Sequence, residues 1–234
     1  MEDERIRQEA IAFAKAHKKE IAAELTDLAR FPADAEPVSV FMAGSPGAGK
    51  TESSQRLIER LSNDGHSVLR IDPDDLRAKF PEYNGQNSSL FQAATSIIAD
   101  RMQDMALEQN QNYVFDGTLS NLERARENIT RSLKHGRFVQ IIYVYQDPWQ
   151  AWEFVKAREL RDGRMIPKDV FIEQFCTARS NVDMLKQEFG PHISVDVIVK
   201  NIDGSDFSYF QNINRVDRYI PQRYTKSDLQ ALIE

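Results

Sequence analysis

Residues 44–51, Gly44-Ser45-Pro46-Gly47-Ala48-Gly49-Lys50-Thr51, constrain this chain more than any other stretch. They fit the pattern G-x-x-x-x-G-K-[ST] without a mismatch. The glycines let the backbone wrap with its N–H groups turned toward phosphate oxygens and no side chain in the way. A helix opening near Gly49 adds unpaired N–H groups and a positive dipole end. Lys50 is then placed to reach the β- and γ-phosphates of a nucleotide, and Thr51 to put its hydroxyl on Mg²⁺. The setting agrees with the motif. Residues 38–43, VSVFMA, read as a buried strand, and the apolar spacing of Leu57, Ile58 and Leu61 predicts a helix over 50–63.

The rest of the chain repeats that alternation. Strands are expected at 67–71, 112–116, 138–145 and 195–200. Helices are expected at 90–109, 121–135, 148–161 and 167–188, with a short one near 226–233. Strands separated by helices of this length make βαβ units, hence a parallel sheet with helices on both faces. Residues 3–30 read as one long helix, with Ile6, Ala10, Phe13, Ala14, Ile21, Leu25 and Leu28 on one side. The two prolines of 31–37 end it. The expected organisation is an N-terminal helix and linker at 1–37, then a nucleotide-binding domain at 38–234. No function is readable for the tail beyond residue 203.

In a parallel sheet, ligands sit beyond the carboxyl ends of the strands. The second strand ends in Ile71-Asp72-Pro73-Asp74-Asp75, the third in Phe115-Asp116-Gly117-Thr118. A carboxylate there can take the proton of an acceptor hydroxyl as its bond to phosphorus forms. Asp72, Asp74 and Asp75 are candidates for that role and equally for a helix cap at Pro73-Asp74-Asp75-Leu76. Asp116 has two readings, water-mediated support of Mg²⁺ or substrate binding, and Gly117 permits close backbone approach. Further on, Arg158 and Arg161 share a helix face, and Gly163 and Pro167 bracket a break that also holds Arg164. Phosphoryl transfer needs cations over the migrating group, and an arginine-bearing hairpin supplies them.

Several classes are disfavoured. A formal net charge of −6 argues against a polyanion partner such as nucleic acid. The four histidines are scattered and Cys176 is the only cysteine, so neither a zinc site nor an internal disulfide is indicated. No apolar run is long enough to span a membrane, and the charged N-terminus is unlike a secretory signal. A reducing cytoplasm is the expected compartment. The guanine-type N-K-x-D string is absent. Phe91, Tyr143 and Phe175 read as core rather than as stacking platforms.

Taken together, the N-terminal helix, G-S-P-G-A-G-K-T, I-D-P-D-D, F-D-G-T and the arginines before I-P-K resemble the zeta-toxin family of toxin–antitoxin kinases over roughly residues 38–200. The resemblance implies phosphorylation of UDP-N-acetylglucosamine by ATP and Mg²⁺. It also implies Asp74 as catalytic base, and Lys50, Arg158 and Arg164 on the phosphates. Asp100, Asp116, Gly117 and Thr118 would then bind the sugar nucleotide, and an antitoxin would be a partner. Asp100 and Asp116 stand where family members carry glutamate, a carboxylate displaced by about 1.5 Å. The expectation is therefore a five-stranded, mainly parallel α/β fold of the P-loop kinase type. The alternatives are a kinase for a polynucleotide 5′-hydroxyl or an antibiotic, and an ATP-binding switch without an acceptor.

Overall fold

The computed structural model describes residues 1–163 and 165–233. Helix α1 (Glu2–Leu25) precedes strand β1 (Val38–Ala43), α2 (Lys50–Asn63) and β2 (Val68–Ile71). A 3₁₀ turn at Asp75–Lys79 leads to α3 (Gln92–Glu108), β3 (Asn112–Phe115), α4 (Leu122–Lys134) and β4 (Phe138–Tyr145). Helices α5 (Pro148–Asp162) and α6 (Lys168–Phe189), strands β5 (Ser194–Lys200) and β6 (Asp206–Phe210), and α7 (Lys226–Leu232) complete the chain.

The strands form one sheet in the order β2-β3-β1-β4-β5-β6. The first five are parallel, as expected, and the fifth pairs antiparallel with β6. Strand β6 adds a sixth to the expected five. Its sequence, Asp-Phe-Ser-Tyr-Phe, lacks the continuous apolar run of a central strand, because an edge strand need not be buried on both faces. Side chains alternate across the sheet. Val40 and Met42 of β1 join Val114, Ile142 and Val144 under Leu57, Ile58 and Leu61 of α2. Phe41 and Ala43 face the larger core on the other side, shared with α1, α3, α4, α5 and α6. Phe91, Tyr143 and Phe175 are all buried there.

Helix α1 lies along α3. Ala10, Ala14, Ile21 and Ala22 of α1 are buried, as are Ala94, Ala99 and Ala106 of α3. Small residues on both surfaces allow close packing, and fully buried contacts of this kind contribute to a domain's core. The helix ends at Leu25 rather than continuing to residue 30. Thr26 turns its Oγ1 back to the Ala22 carbonyl at 2.8 Å, and Asp27 accepts from the Ala29 N–H at 2.9 Å. Both bonds offer the backbone an alternative to helix. Among the described residues, no helix is long and apolar enough to cross a membrane.

Candidate active site

The phosphate-binding loop leaves β1 at the centre of the sheet, where the strand order places β3 on one side and β4 on the other. Two of its glycines are dictated by their neighbours. A Cβ on Gly44 would lie 2.4 Å from the Val144 carbonyl oxygen, and one on Gly47 would lie 2.1 Å from that of Ala151. Both have positive φ, 137° and 74°. Strand β4 and helix α5 therefore press directly on the loop. The first N–H groups of α2, from Lys50 and Thr51, have no intrahelical acceptor by construction.

Lys50 Nζ donates to the carbonyls of Gly44 at 3.1 Å and Ser45 at 2.7 Å, folding over the loop it belongs to. Burial pushes its amine down to about 8, helped by the nearby Arg158 cation and opposed by Asp116, Asp74 and Asp72. A triphosphate in the loop would give this lysine an anionic partner in place of the two carbonyls.

The carboxylates after β2 divide their work. Asp72 accepts the Asp74 N–H through Oδ1 at 2.8 Å and pairs with Arg70 through Oδ2. Capping the turn thus falls to Asp72, and no side chain of Asp74 caps the following 3₁₀ turn. Burial, with Asp116 close by, pushes the Asp72 carboxyl up to about 7, against the pull of Arg70. Asp75 also pairs with Arg70. Asp74 instead presents both oxygens to arginines. Oδ1 lies 2.8 Å from Arg77 Nη1, and Oδ2 lies 3.3 Å from Arg158 Nη2.

Asp116 is buried at the end of β3. Its Oδ2 accepts from Ser54 Oγ at 3.0 Å and from Arg70 at 2.8 Å. Since Ser54 lies on α2 one turn after Thr51, this contact ties Asp116 to the helix that bears the Thr51 hydroxyl. The Thr118 carbonyl accepts the Gly44 N–H at 3.2 Å, so the loop after β3 is joined to the phosphate loop directly. That loop holds Leu119 at a φ of 57°, a conformation that few non-glycine residues adopt. Asn181 of α6 braces it by donating to the Leu119 and Ser120 carbonyls, both at 2.9 Å.

Lys50, Asp72, Asp74, Asp116 and Arg158 thus converge on one end of the sheet. Asp100 stands apart, on α3, paired with Arg124 at 2.5 Å in a groove of about 510 Å³. Arg164 falls outside the described residues. Four participants carry no sequence signal of their own. Arg70 and Arg77 hold the carboxylates, Asn181 braces the β3 loop, and Lys200 lies buried beside the phosphate loop. The Lys200 Cε would be 3.3 Å from a Cβ on Gly49, and its ammonium pairs with Asp206 of β6. A lone polar residue in a long helix, or at a strand end, cannot be told from surface without the fold.

A central phosphate loop, a parallel sheet and acids at the neighbouring strand ends define a P-loop kinase. The zeta-toxin family model matches residues 21–214, and the chain belongs to that family. It is an ATP-dependent phosphotransferase of toxin type, acting on a hydroxyl acceptor. Solved structures are similar in fold. One, of the PezAT chromosomal toxin–antitoxin system of Streptococcus pneumoniae, has a TM-score of 0.62 at 16% identity, covering 94% of this chain and 86% of the other. Another, of AvrRxo1-ORF1 with AvrRxo1-ORF2 and ATP, has a TM-score of 0.61 at 16% identity, covering 94% and 72%. No curated protein matches the sequence.

Proposed function

We propose that the chain transfers the γ-phosphate of ATP to a hydroxyl of a sugar nucleotide, UDP-N-acetylglucosamine, with Asp74 as the general base. The observation that carries the reading is the position of Asp74. Arg158, from the arginine-bearing helix, approaches one of its oxygens and Arg77 the other. Arg77 in turn donates to Gln92 Oε1 at 3.2 Å, and Gln92 lines the groove that contains Asp100. These contacts link Asp74 to Arg158 on one side and, through Arg77, to the groove on the other, which supports the reading.

In this mechanism the loop amides and Lys50 hold the β- and γ-phosphates. Arg158 follows the γ-phosphoryl group and leaves Asp74 Oδ2 to accept the hydroxyl proton as the acceptor oxygen attacks phosphorus in line. Arg164 is assigned the second phosphate contact. Asp116, Gly117 and Thr118 orient the acceptor from the β3 side, and Asp100 from the groove. Thr51 would hold Mg²⁺, with Asp116 beside it. The donors available, the Thr51 hydroxyl and the Asp116 carboxylate, are hard oxygens. That suits Mg²⁺, which takes one or two protein oxygens and completes its shell with phosphate and water. Held at Thr51, the ion would supply positive charge that offsets the phosphates' negative charge. The working compartment is the cytoplasm, and the partner that restrains the enzyme is an antitoxin.

The test is an assay of the purified protein with Mg²⁺ and ATP, with and without UDP-N-acetylglucosamine, read by mass spectrometry. A sugar nucleotide heavier by one phosphoryl group supports the reading. ATP binding without any phosphorylated acceptor overturns the acceptor assignment.

A further inference from the structure

The groove beside Asp100 is closed by a residue from an unexpected place. Its floor is apolar, formed by Leu90, Ala93 and Ile97. Its polar lining comprises Ser89, Gln92, Ser96, Asp100, Arg124 and, from helix α1, Arg7. Arg7 and Arg124 line the groove beside Asp100, and each is paired with a carboxylate. Arg124 is held at 2.5 Å by Asp100. Arg7 has a weaker hold, an exposed i,i+3 pair with Glu4 at 2.9 Å, which leaves it available to an incoming anion. The end of α1 that carries Arg7 is fastened to the segment between the 3₁₀ turn and α3 by the Arg5–Glu82 ion pair at 2.9 Å.

We propose that α1 is part of the acceptor site and that Arg7 contacts an anionic group of the acceptor, remote from the hydroxyl that Asp74 deprotonates. The inference rests on the kinase reading above for the assignment of the groove to the acceptor; Gln92 in its lining is joined to Asp74 through Arg77. An acceptor that fits is an organic phosphate or diphosphate with a flat ring to cover Leu90, Ala93 and Ile97. Arg7 then acts as a specificity residue: it favours anionic acceptors over neutral alcohols and contributes equally to ground state and transition state, so it acts on acceptor affinity rather than turnover.

Arg7→Ala, Arg7→Lys and, as a control of equal charge change on an exposed part of the same helix, Lys15→Ala can be compared with the parent chain. Binding of UDP-N-acetylglucosamine is measured by calorimetry with the phosphate loop saturated by a non-hydrolysable ATP analogue, and each variant is melted. The expected result is an acceptor Kd raised about tenfold by Arg7→Ala. Arg7→Lys should restore part of that loss, and Lys15→Ala should have none. Melting temperatures and affinity for the ATP analogue should not change. An unchanged acceptor Kd in Arg7→Ala overturns the proposal while leaving the kinase reading intact. If the parent chain ignores UDP-N-acetylglucosamine, that acceptor assignment falls. Inorganic pyrophosphate then serves as the probe. Binding that Arg7→Ala weakens supports the anion site, and binding that is absent from the parent or indifferent to Arg7 overturns it.

Discussion

Arg158 Nη2 stands 3.3 Å from Asp74 Oδ2, joining the helix of the arginine segment to the turn after β2 across 84 residues of sequence. The contact is at the long limit of a hydrogen bond, between partners that are both about one-third exposed, so it is easily exchanged. A γ-phosphate offers the guanidinium a stronger, bidentate partner. In the proposed mechanism, nucleotide binding would draw Arg158 away from Asp74 Oδ2.

Asp74→Asn keeps the shape of the side chain and an oxygen for Arg77, and removes the ability to accept a proton. Phosphoryl transfer should fall by about 10²–10⁴-fold with ATP affinity nearly unchanged. Parent-like activity in this variant, measured by phosphorylated product per unit time, would falsify the assignment of the base.

Lys50 yields a prediction about pH. Folding lowers its amine from the usual 10.5 to about 8, mainly by burial. A cation with a depressed folded pKa costs stability fully below the folded pKa, and the cost fades as pH rises from 8 toward 10.5. Allowing for the side chain's residual exposure, the cost at pH 7 is about 1–2 kcal/mol. Lys50→Met should therefore melt higher than the parent at pH 7, by roughly 2–6 °C, while losing ATP binding. The gap should narrow by pH 10. Thermal melts at the two pH values check this, and a gap that ignores pH contradicts it.

At Gly47 the prediction is steric. A methyl group would lie 2.1 Å from the Ala151 carbonyl oxygen, in a region of positive φ. Gly47→Ala must displace either the loop or α5, and ATP affinity should drop more than about tenfold. Gly136→Ala makes a fair comparison, because it also has positive φ but meets nothing within 4 Å. It should cost only about 1 kcal/mol of stability and no affinity. Equal ATP affinity in both variants would remove the case for a packed loop.

Asn181→Ala deletes both braces on the carbonyls of Leu119 and Ser120. Stability should fall by about 1–2 kcal/mol, since half-buried carbonyls lose their donors. Because Leu119 is held in a disfavoured conformation, the loop should relax away from its present course. The KM for the acceptor is expected to rise more than the KM for ATP. Steady-state kinetics with each substrate varied in turn would separate the two, and an equal rise in both would point to general loosening instead.

The phosphate loop and its surroundings are legible in the chain because they are local. Eight consecutive residues carry the cradle, the lysine and the threonine, and the flanking strand and helix follow from periodicity over windows of similar length. The acids at 72, 74, 75 and 116 are legible for a related reason: a residue at the end of a parallel strand is automatically on the ligand rim. Strand β6 was not, since an edge strand of mixed polarity resembles a loop until β5 is beside it.

By itself, then, the sequence determined the alternating architecture, the nucleotide chemistry and the short menu of acids from which a base is drawn. Tertiary structure decided which partner each acid meets. Arg70 gathers Asp72, Asp75 and Asp116, and leaves Asp74 to Arg77 and Arg158. Packing of α1 on α3 brought Arg7 to the groove, and β6 placed Asp206 against Lys200 behind the phosphate loop. These are contacts between residues tens of positions apart. Their energies depend on burial and on competing partners, and no local pattern in a chain encodes which of several like charges will meet once the core closes.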